Sequence, residues 1–330
     1  MKFKQLKKEI ANNYRNGKII SDNFVQIDSV SFSENQKQTK EAFSNKWKQF
    51  DYNSDEFTRY KRFHKNWFLE LYGFSSEKEL AAFLNRQKII IDAGTGTGFK
   101  AAWFAELSPQ TQVVAIDIST SLFSAAKNYQ KLNNLLFIQA DISQLDFIKE
   151  NEIDFISCDQ VIHHTSDPKK TLKELVRILK FEKELALYVY KKKALPRELL
   201  DDYFRDYSRE LSHEELMDLS EQLTVLGKKL SELKIEINFP DIPLLGIKGG
   251  RQNLQRFVYW NFLKCFWNEE NGFKNSQMIN YDWYSPSQAF RYSKEEFKRM
   301  LQDNKLSTVF FHQEHACYSG RFTKKANNCC

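Results

Sequence analysis

The stretch Ile89-Ile90-Ile91-Asp92-Ala93-Gly94-Thr95-Gly96-Thr97-Gly98-Phe99 sets an unbroken β-branched run directly before an acid and three alternating glycines. Such a run reads as a strand buried on both faces, the habit of parallel sheets covered by helices. Glycines after it let the backbone turn sharply and keep Cβ atoms out of the way of a ligand. A helix over Phe99–Leu107 follows. The dinucleotide fingerprint beginning at Gly94 needs its third glycine at position 99, which is Phe99, so a pyrophosphate ligand is disfavoured.

Outward from this turn, residues 88–190 alternate short apolar runs with helical stretches, the pattern of parallel strands joined by crossovers. Strands are expected at Lys88–Ile91, Gln112–Ile116, Leu136–Gln139, Ile153–Ser157 and Glu184–Tyr190, with helices at Phe99–Leu107, Ser119–Lys131 and Pro168–Leu179. After residue 280, Ser293 and Glu296 have capping-box spacing at the head of a helix, and STVFFHQ and ACYSGRFTKK read as two closing strands. The count is seven. Two further acids fall at strand ends. Asp117 is placed to accept from ribose hydroxyls, and Asp141 to accept from an adenine amino group while the Ile142 backbone meets the ring. Three acids around one ligand suit a sulfonium bearing hydroxyls and amines and would repel a pyrophosphate.

With these residues in view, the chain resembles the class I S-adenosylmethionine-dependent methyltransferase family. DAGTGTG looks like its first motif, AIDIS its second, ADISQLDF its third and IDFISCDQVIHH its fourth. The likeness spans about residues 85–190 and the closing strands. QTKEAFSNKW, YVYKKKA and YDWYSP are similar to a group of bacterial small-molecule methyltransferases. The resemblance implies a mostly parallel, doubly wound seven-stranded α/β sheet with its last strand antiparallel. S-adenosylmethionine would lie across the strand ends and donate its methyl group. Asp92, Ala93, Gly94, Thr95, Gly96, Gly98, Asp117, Ile118, Asp141, Ile142, Asp159 and Gln160 are the expected cofactor contacts.

The expected organisation is a helical N-terminal cap over 1–84, a cofactor-binding core over 85–194, a helical substrate lid inserted over 195–280, and a closing helix and strands over 281–330. Residues 1–40 read as a polar, adaptable entry segment, and 40–84 as helices packed on the core. The net charge of +6 is spread along the chain, which permits an anionic or sugar-like substrate and argues against extended nucleic-acid binding. The five cysteines include no C-x-x-C pair, consistent with a reducing cytoplasm and offering nothing to zinc or another metal. Cys329-Cys330 reads as a frayed tail. The charged start MKFKQLKKEI has no signal-peptide apolar region and no run reaches the roughly 18 apolar residues of a membrane span, so a soluble cytoplasmic protein is expected.

His163 and His164 follow the fourth strand and titrate in the range useful to a base, the alternative being a structural role. Lys191, Lys193 and Arg197 follow the fifth strand, where they either bind an acidic group or solvate the strand exit. Tyr281, Trp283 and Tyr284 either line a substrate pocket or pack the insert. Arg251, Arg256 and Arg291 read as surface charges. The expected reaction is methyl transfer to oxygen or nitrogen of a small molecule, the alternative acceptor being RNA or protein. Neither the acceptor atom nor the oligomeric state is written in the sequence.

Overall fold

The computed structural model describes residues 3–13, 17–27, 34–48 and 50–326. Cys329 and Cys330 lie outside the described residues. The chain begins with α1 (Phe3–Asn13), a hairpin of β1 (Gly17–Ser21) and β2 (Phe24–Ile27), and three helices, α2 (Glu34–Lys48), α3 (Asp55–Tyr72) and α4 (Glu77–Leu84). An alternating stretch follows: β3 (Ile89–Ala93), α5 (Phe99–Leu107), β4 (Gln112–Asp117), α6 (Leu122–Asn128), β5 (Leu135–Gln139), β6 (Ile153–Cys158), α7 (Pro168–Ile178) and β7 (Leu179–Lys191). Then come α8 (Leu195–Ser208), α9 (His213–Glu232), the hairpin β8 (Glu236–Phe239) and β9 (Gly250–Asn253), α10 (Leu254–Asn261) and α11 (Gly272–Tyr284). The last elements are β10 (Arg291–Tyr292), α12 (Lys294–Asp303), β11 (Leu306–Gln313) and β12 (Cys317–Lys324).

The sheet has ten strands rather than seven. Its order is β1-β2-β5-β4-β3-β6-β7-β12-β11, with β10 paired to β7 off this path. The seven expected strands form a continuous run from β5 to β11, the latter being one edge of the sheet, and β12 runs antiparallel to β7 as anticipated. The extra strands correct the reading of residues 1–40. Instead of an adaptable lead-in, β2 adds in parallel to β5 through Phe24↔Phe137 and Val25↔Ile138, and Leu6 and Ile10 of α1 are fully buried in the core. Covering an otherwise open edge of the sheet gives these short segments a reason to be ordered.

Elements form where local chemistry agrees with packing. Every residue of β3 is buried, as its apolar run required. Ser54 caps α3 by accepting from the Phe57 N–H, and Gly73 ends it at φ 68°, a left-handed conformation suited to glycine. The Ser293/Glu296 capping box of α12 is present. The helix expected over Ser119–Lys131 is shorter at both ends, α6 covering Leu122–Asn128; at its head the Ser119 N–H donates to Asp117, and the Ser119 hydroxyl accepts from the Ser121 N–H and pairs with the Ser121 hydroxyl. Arg291 also departs from expectation. It is not a surface charge but is sequestered in ion pairs with Glu198 at 2.7 Å and with Asp202.

Candidate functional site

The carboxyl ends of β3, β4, β5 and β6 open into a cavity of about 610 Å³. The turn after β3 lines it through Gly94, Thr95, Gly96 and Thr97, with Asp117, Ile118, Asp141, Ile142, Asp159 and Gln160 from the next strand ends. Asp92, Ala93 and Gly98 stand behind this wall. Asp92 accepts from the Thr95 hydroxyl at 2.6 Å, bracing the turn, and burial raises its carboxyl above the ordinary range. Gly98 adopts φ 76°, where a Cβ would fall 2.8 Å from the Phe137 ring. Gly94, at φ 77°, would drive a Cβ to within 2.3 Å of Val161. The glycines are therefore demanded by packing as well as by the turn.

The turn's hydrogen bonds discriminate between ligands. The Gly94 and Thr95 N–H groups both donate to the Ile116 carbonyl, and Gly98 donates to Thr95. Gly96 donates to Asp117 at 2.8 Å, and the other Asp117 oxygen accepts from the Ser119 N–H. These amides, which a phosphate would need, are already committed to chain oxygens. What faces the cavity is the Asp117 carboxylate, whose remaining lone pairs can accept from hydroxyls. Burial raises its pKa above the ordinary carboxylate value, against the pull of its backbone donors. The residues thus fit an adenosine with a cationic centre better than a dinucleotide.

The other two acids are less open than the sequence suggested. Asp141 accepts from Gln36 of α2 at 2.5 Å and from the Ser143 N–H at 2.8 Å. Asp159 is 4% exposed, and receives Lys100 at 2.5 Å, the Tyr72 hydroxyl at 2.8 Å and Gln160 at 3.2 Å. Burial alone would raise the Asp159 carboxyl, but Lys100 holds it below its ordinary value. This buried pair was missed because Lys100 lies on a helix whose remaining residues are nearly all apolar.

The roof comes from the N-terminal helices. Trp47 of α2 covers the glycine turn so closely that a Cβ on Gly96 would sit 2.9 Å from its ring. Gln38 donates to the Ser285 carbonyl at 2.6 Å, tying α2 to the chain after α11. Tyr60 and His64 of α3 also line the cavity. Burial, with Lys100 nearby, lowers the His64 pKa to about 3. Neither residue could be distinguished in the sequence from the aromatic core positions that share its helical spacing.

The two candidate bases separate. His163 is fully buried and outside the cavity lining, with its ring 3.7 Å from that of Tyr190, so it is a core residue rather than a base facing a ligand. His164 lines the cavity, and its Nδ1 lies 2.7 Å from the Gln288 carbonyl. A carbonyl can only accept, so Nδ1 carries the hydrogen and Nε2 keeps its lone pair. Burial lowers the His164 pKa to about 4.

Among the proposed substrate residues, Lys193, Arg197 and Trp283 line the cavity. Lys191, Tyr281 and Tyr284 do not. Lys191 is half-buried over the Tyr318 ring, the Tyr281 hydroxyl meets His213 Nδ1 at 3.0 Å, and the Tyr284 hydroxyl donates to Asp201 at 2.9 Å. Helical geometry explains the split at Tyr281, Trp283 and Tyr284, since successive residues of α11 face different ways. Asp282 and Lys264, neither among the candidate site residues, line the cavity instead, and Asp282 pairs with Lys46 of α2 at 2.8 Å. Among the described residues no group of His, Cys, Asp and Glu is placed to hold a metal ion, and no helix is long and apolar enough to cross a membrane.

Comparison with known proteins adds independent information. Residues 84–237 match the family of methyltransferase domains. An uncharacterised Synechococcus protein is 33% identical over 108 residues, covering 31% of this chain and 25% of that protein. The malonyl-[acyl-carrier protein] O-methyltransferase of Bacillus anthracis is 28% identical over 93 residues, covering 28% of this chain and 34% of that enzyme. The chain thus spans a quarter of the first relative's length and about a third of the second's. Among solved structures, the 1,6-didemethyltoxoflavin-N1-methyltransferase of Burkholderia thailandensis superposes with a TM-score of 0.42 at 11% identity, over 94% of this chain and all of that one.

Proposed function

We propose that this chain, whose fold is that of the class I S-adenosylmethionine-dependent methyltransferases, transfers a methyl group from S-adenosylmethionine to an oxygen or nitrogen of a small molecule. The observation that carries this reading is the cavity itself. One side of it is the glycine turn with Asp117 and Asp141, the other is an aromatic chamber, and its volume of about 610 Å³ falls in the range of small-ligand sites. An extended RNA or a folded protein would need an open surface instead. The Bacillus anthracis relative is named as an O-methyltransferase, which agrees with oxygen as the acceptor atom, while its named acceptor is carried on a protein.

Asp117 would hold the ribose hydroxyls, and Asp141 with the Ile142 backbone the adenine. Gly94, Thr95, Gly96 and Ile118 would shape the wall around them, braced from behind by Asp92, Ala93 and Gly98. Asp159 and Gln160 would flank the methionine end, with Lys100 fixing Asp159 in its ionised form. The cofactor supplies a methyl group on a positively charged sulfur, already activated for in-line displacement. The chain's work is then to align the acceptor, exclude water and take up a proton. Trp47 and Gln36 of α2 close the adenosine side against solvent. His164, neutral at pH 7 and with Nε2 free of hydrogen, accepts the proton of an acceptor hydroxyl or amine at that nitrogen. In this reading 85–194 is the cofactor core, 1–84 and 195–280 wall the substrate chamber, and 281–330 completes the sheet.

The test uses methyl-labelled S-adenosylmethionine with a cell extract separated into low-molecular-weight, RNA and protein fractions. Label should enter the low-molecular-weight fraction. Transfer into RNA or protein alone would overturn the small-molecule acceptor.

A further inference from the structure

At the end of the cavity formed by α8, α10, α11 and the exit of β7, cations outnumber the carboxylates available to them. Lys264 is 5% exposed. Among the described residues its ammonium has one hydrogen-bond partner, the Tyr259 hydroxyl at 3.1 Å, and sits 4.7 Å from the centre of the Trp283 ring. Among the described residues, Lys193 donates only to backbone carbonyls, those of Lys191 at 2.6 Å and Ala316 at 3.0 Å, beside the Trp260 ring. Arg197, a third cation here, is 1% exposed.

Of the acids at this end, Glu270 lines the cavity but is exposed and pairs with neither lysine, and the others are engaged elsewhere. Asp201 accepts from Arg197 at 2.8 Å and from Tyr284. Glu198 takes Arg291, and Asp282 takes Lys46. Glu314 lies 3.6 Å from both Cys317 Sγ and His312 Nε2. Among the described residues, no carboxylate pairs with Lys193 or Lys264. A buried ammonium held only by neutral oxygens and ring faces is costly unless something else brings the counter-charge. Both lysines line the cavity, so that charge can arrive with a ligand.

We infer that this end of the cavity is an oxyanion subsite, in which Lys264 and Lys193 bind a carboxylate or phosphate of the methyl acceptor. The inference rests on the methyltransferase reading and adds the substrate's class and orientation. From Lys264 the cavity wall runs through Trp283 to Tyr190, ring centres 4.9 Å apart, and on to His164, 5.4 Å from Tyr190. The substrate therefore lies with its anion at the lysines, its body along these rings and its reacting oxygen or nitrogen at His164. Burial, with Arg197 nearby, brings each lysine's pKa to about 7, so the arriving anion draws protons onto them.

The experiment loads the protein with S-adenosylhomocysteine and titrates inorganic phosphate, then acetate, at ionic strength held constant with chloride, reading tryptophan fluorescence and proton uptake. Saturable binding with proton uptake is expected, weakened at least tenfold in Lys264→Met and unaltered in Lys229→Gln, an exposed lysine. Response to phosphate alone assigns a phosphoryl group, and response to acetate a carboxylate. Lys193→Gln gives the same readout if Lys264→Met does not fold. Unchanged phosphate affinity in whichever lysine variant folds, or an equal response to chloride, overturns the subsite. Normal S-adenosylhomocysteine binding with a response to neither phosphate nor acetate removes only the subsite, whereas failure to bind S-adenosylhomocysteine removes the methyltransferase reading itself.

Discussion

At the glycine-turn end of the cavity, Lys100 and Asp159 neutralise each other and Asp117 and Asp141 accept from protein donors. At the other end, Lys193 and Lys264 meet only neutral oxygens and ring faces among the described residues. The first end is complete without the substrate, as befits a site for a cofactor shared by many enzymes. The second is electrostatically incomplete, which is what a site selecting one kind of acceptor requires. Polar groups left short of partners impose a penalty that the right ligand removes and the wrong one does not.

The largest expected effect strikes the completed end. Lys100→Met leaves Asp159 buried without its cation and should destabilise the fold by about 3–5 kcal/mol in chemical denaturation. That pair should be nearly indifferent to pH between its limits. The Asp159 pKa lies below 3.8, so its contribution is present above that value, and the Lys100 pKa lies above 10.5, so its contribution is present below that one.

Next in size, Asp117→Ala should weaken S-adenosylhomocysteine binding by about 100-fold in calorimetry, equivalent to roughly 2.7 kcal/mol for two lost charge-assisted hydrogen bonds. Trp47→Ala, which uncovers the glycine turn, should cost about tenfold by the same measurement, chiefly through faster release.

The smallest effect has the opposite sign. Lys264→Met removes an uncompensated buried cation and should raise the melting temperature by a few degrees while weakening anion binding at least tenfold. The lysine's folded pKa of about 7 lies below its ordinary 10.5. Between those values the unfolded chain holds the extra proton, and wild-type stability rises with pH as the penalty fades. The variant's advantage should therefore be greater at pH 6 than at pH 9. A loss of stability in Lys264→Met at pH 6 would break the contrast between the two ends.

The same contrast governs what the sequence reveals. The glycine-turn end is written in contiguous pieces, because one strand, one turn and the acid ending the next strand are each a local pattern with a local cause. Phe99 at position 99, where a dinucleotide fold would have glycine, was sufficient to disfavour a pyrophosphate, and the committed amides of Gly94 and Gly96 supply the physical reason. The rest of the cavity is assembled from Lys46, Tyr60, His64, Lys264 and Asp282, spread over α2, α3, α11 and the chain after α10. Lys264 sits in the apolar run RFVYWNFLKCFW, and Tyr60 and His64 share a spacing with Phe57 and Phe68 that only tertiary packing sorts into cavity and core. The hairpin β1–β2 escaped for a related reason. Strands of five and four residues are too short to establish a period of two, and they are held by the edge of β5 rather than by their own propensity.

The central claim is that the turn after β3 and the Asp117 carboxylate form a seat for adenosine on a sulfonium, and calorimetry of the wild-type protein tests it most directly. Titration with S-adenosylhomocysteine should give saturable one-site binding, and NAD should give none under the same conditions. Uptake of NAD with no heat from S-adenosylhomocysteine would contradict the account.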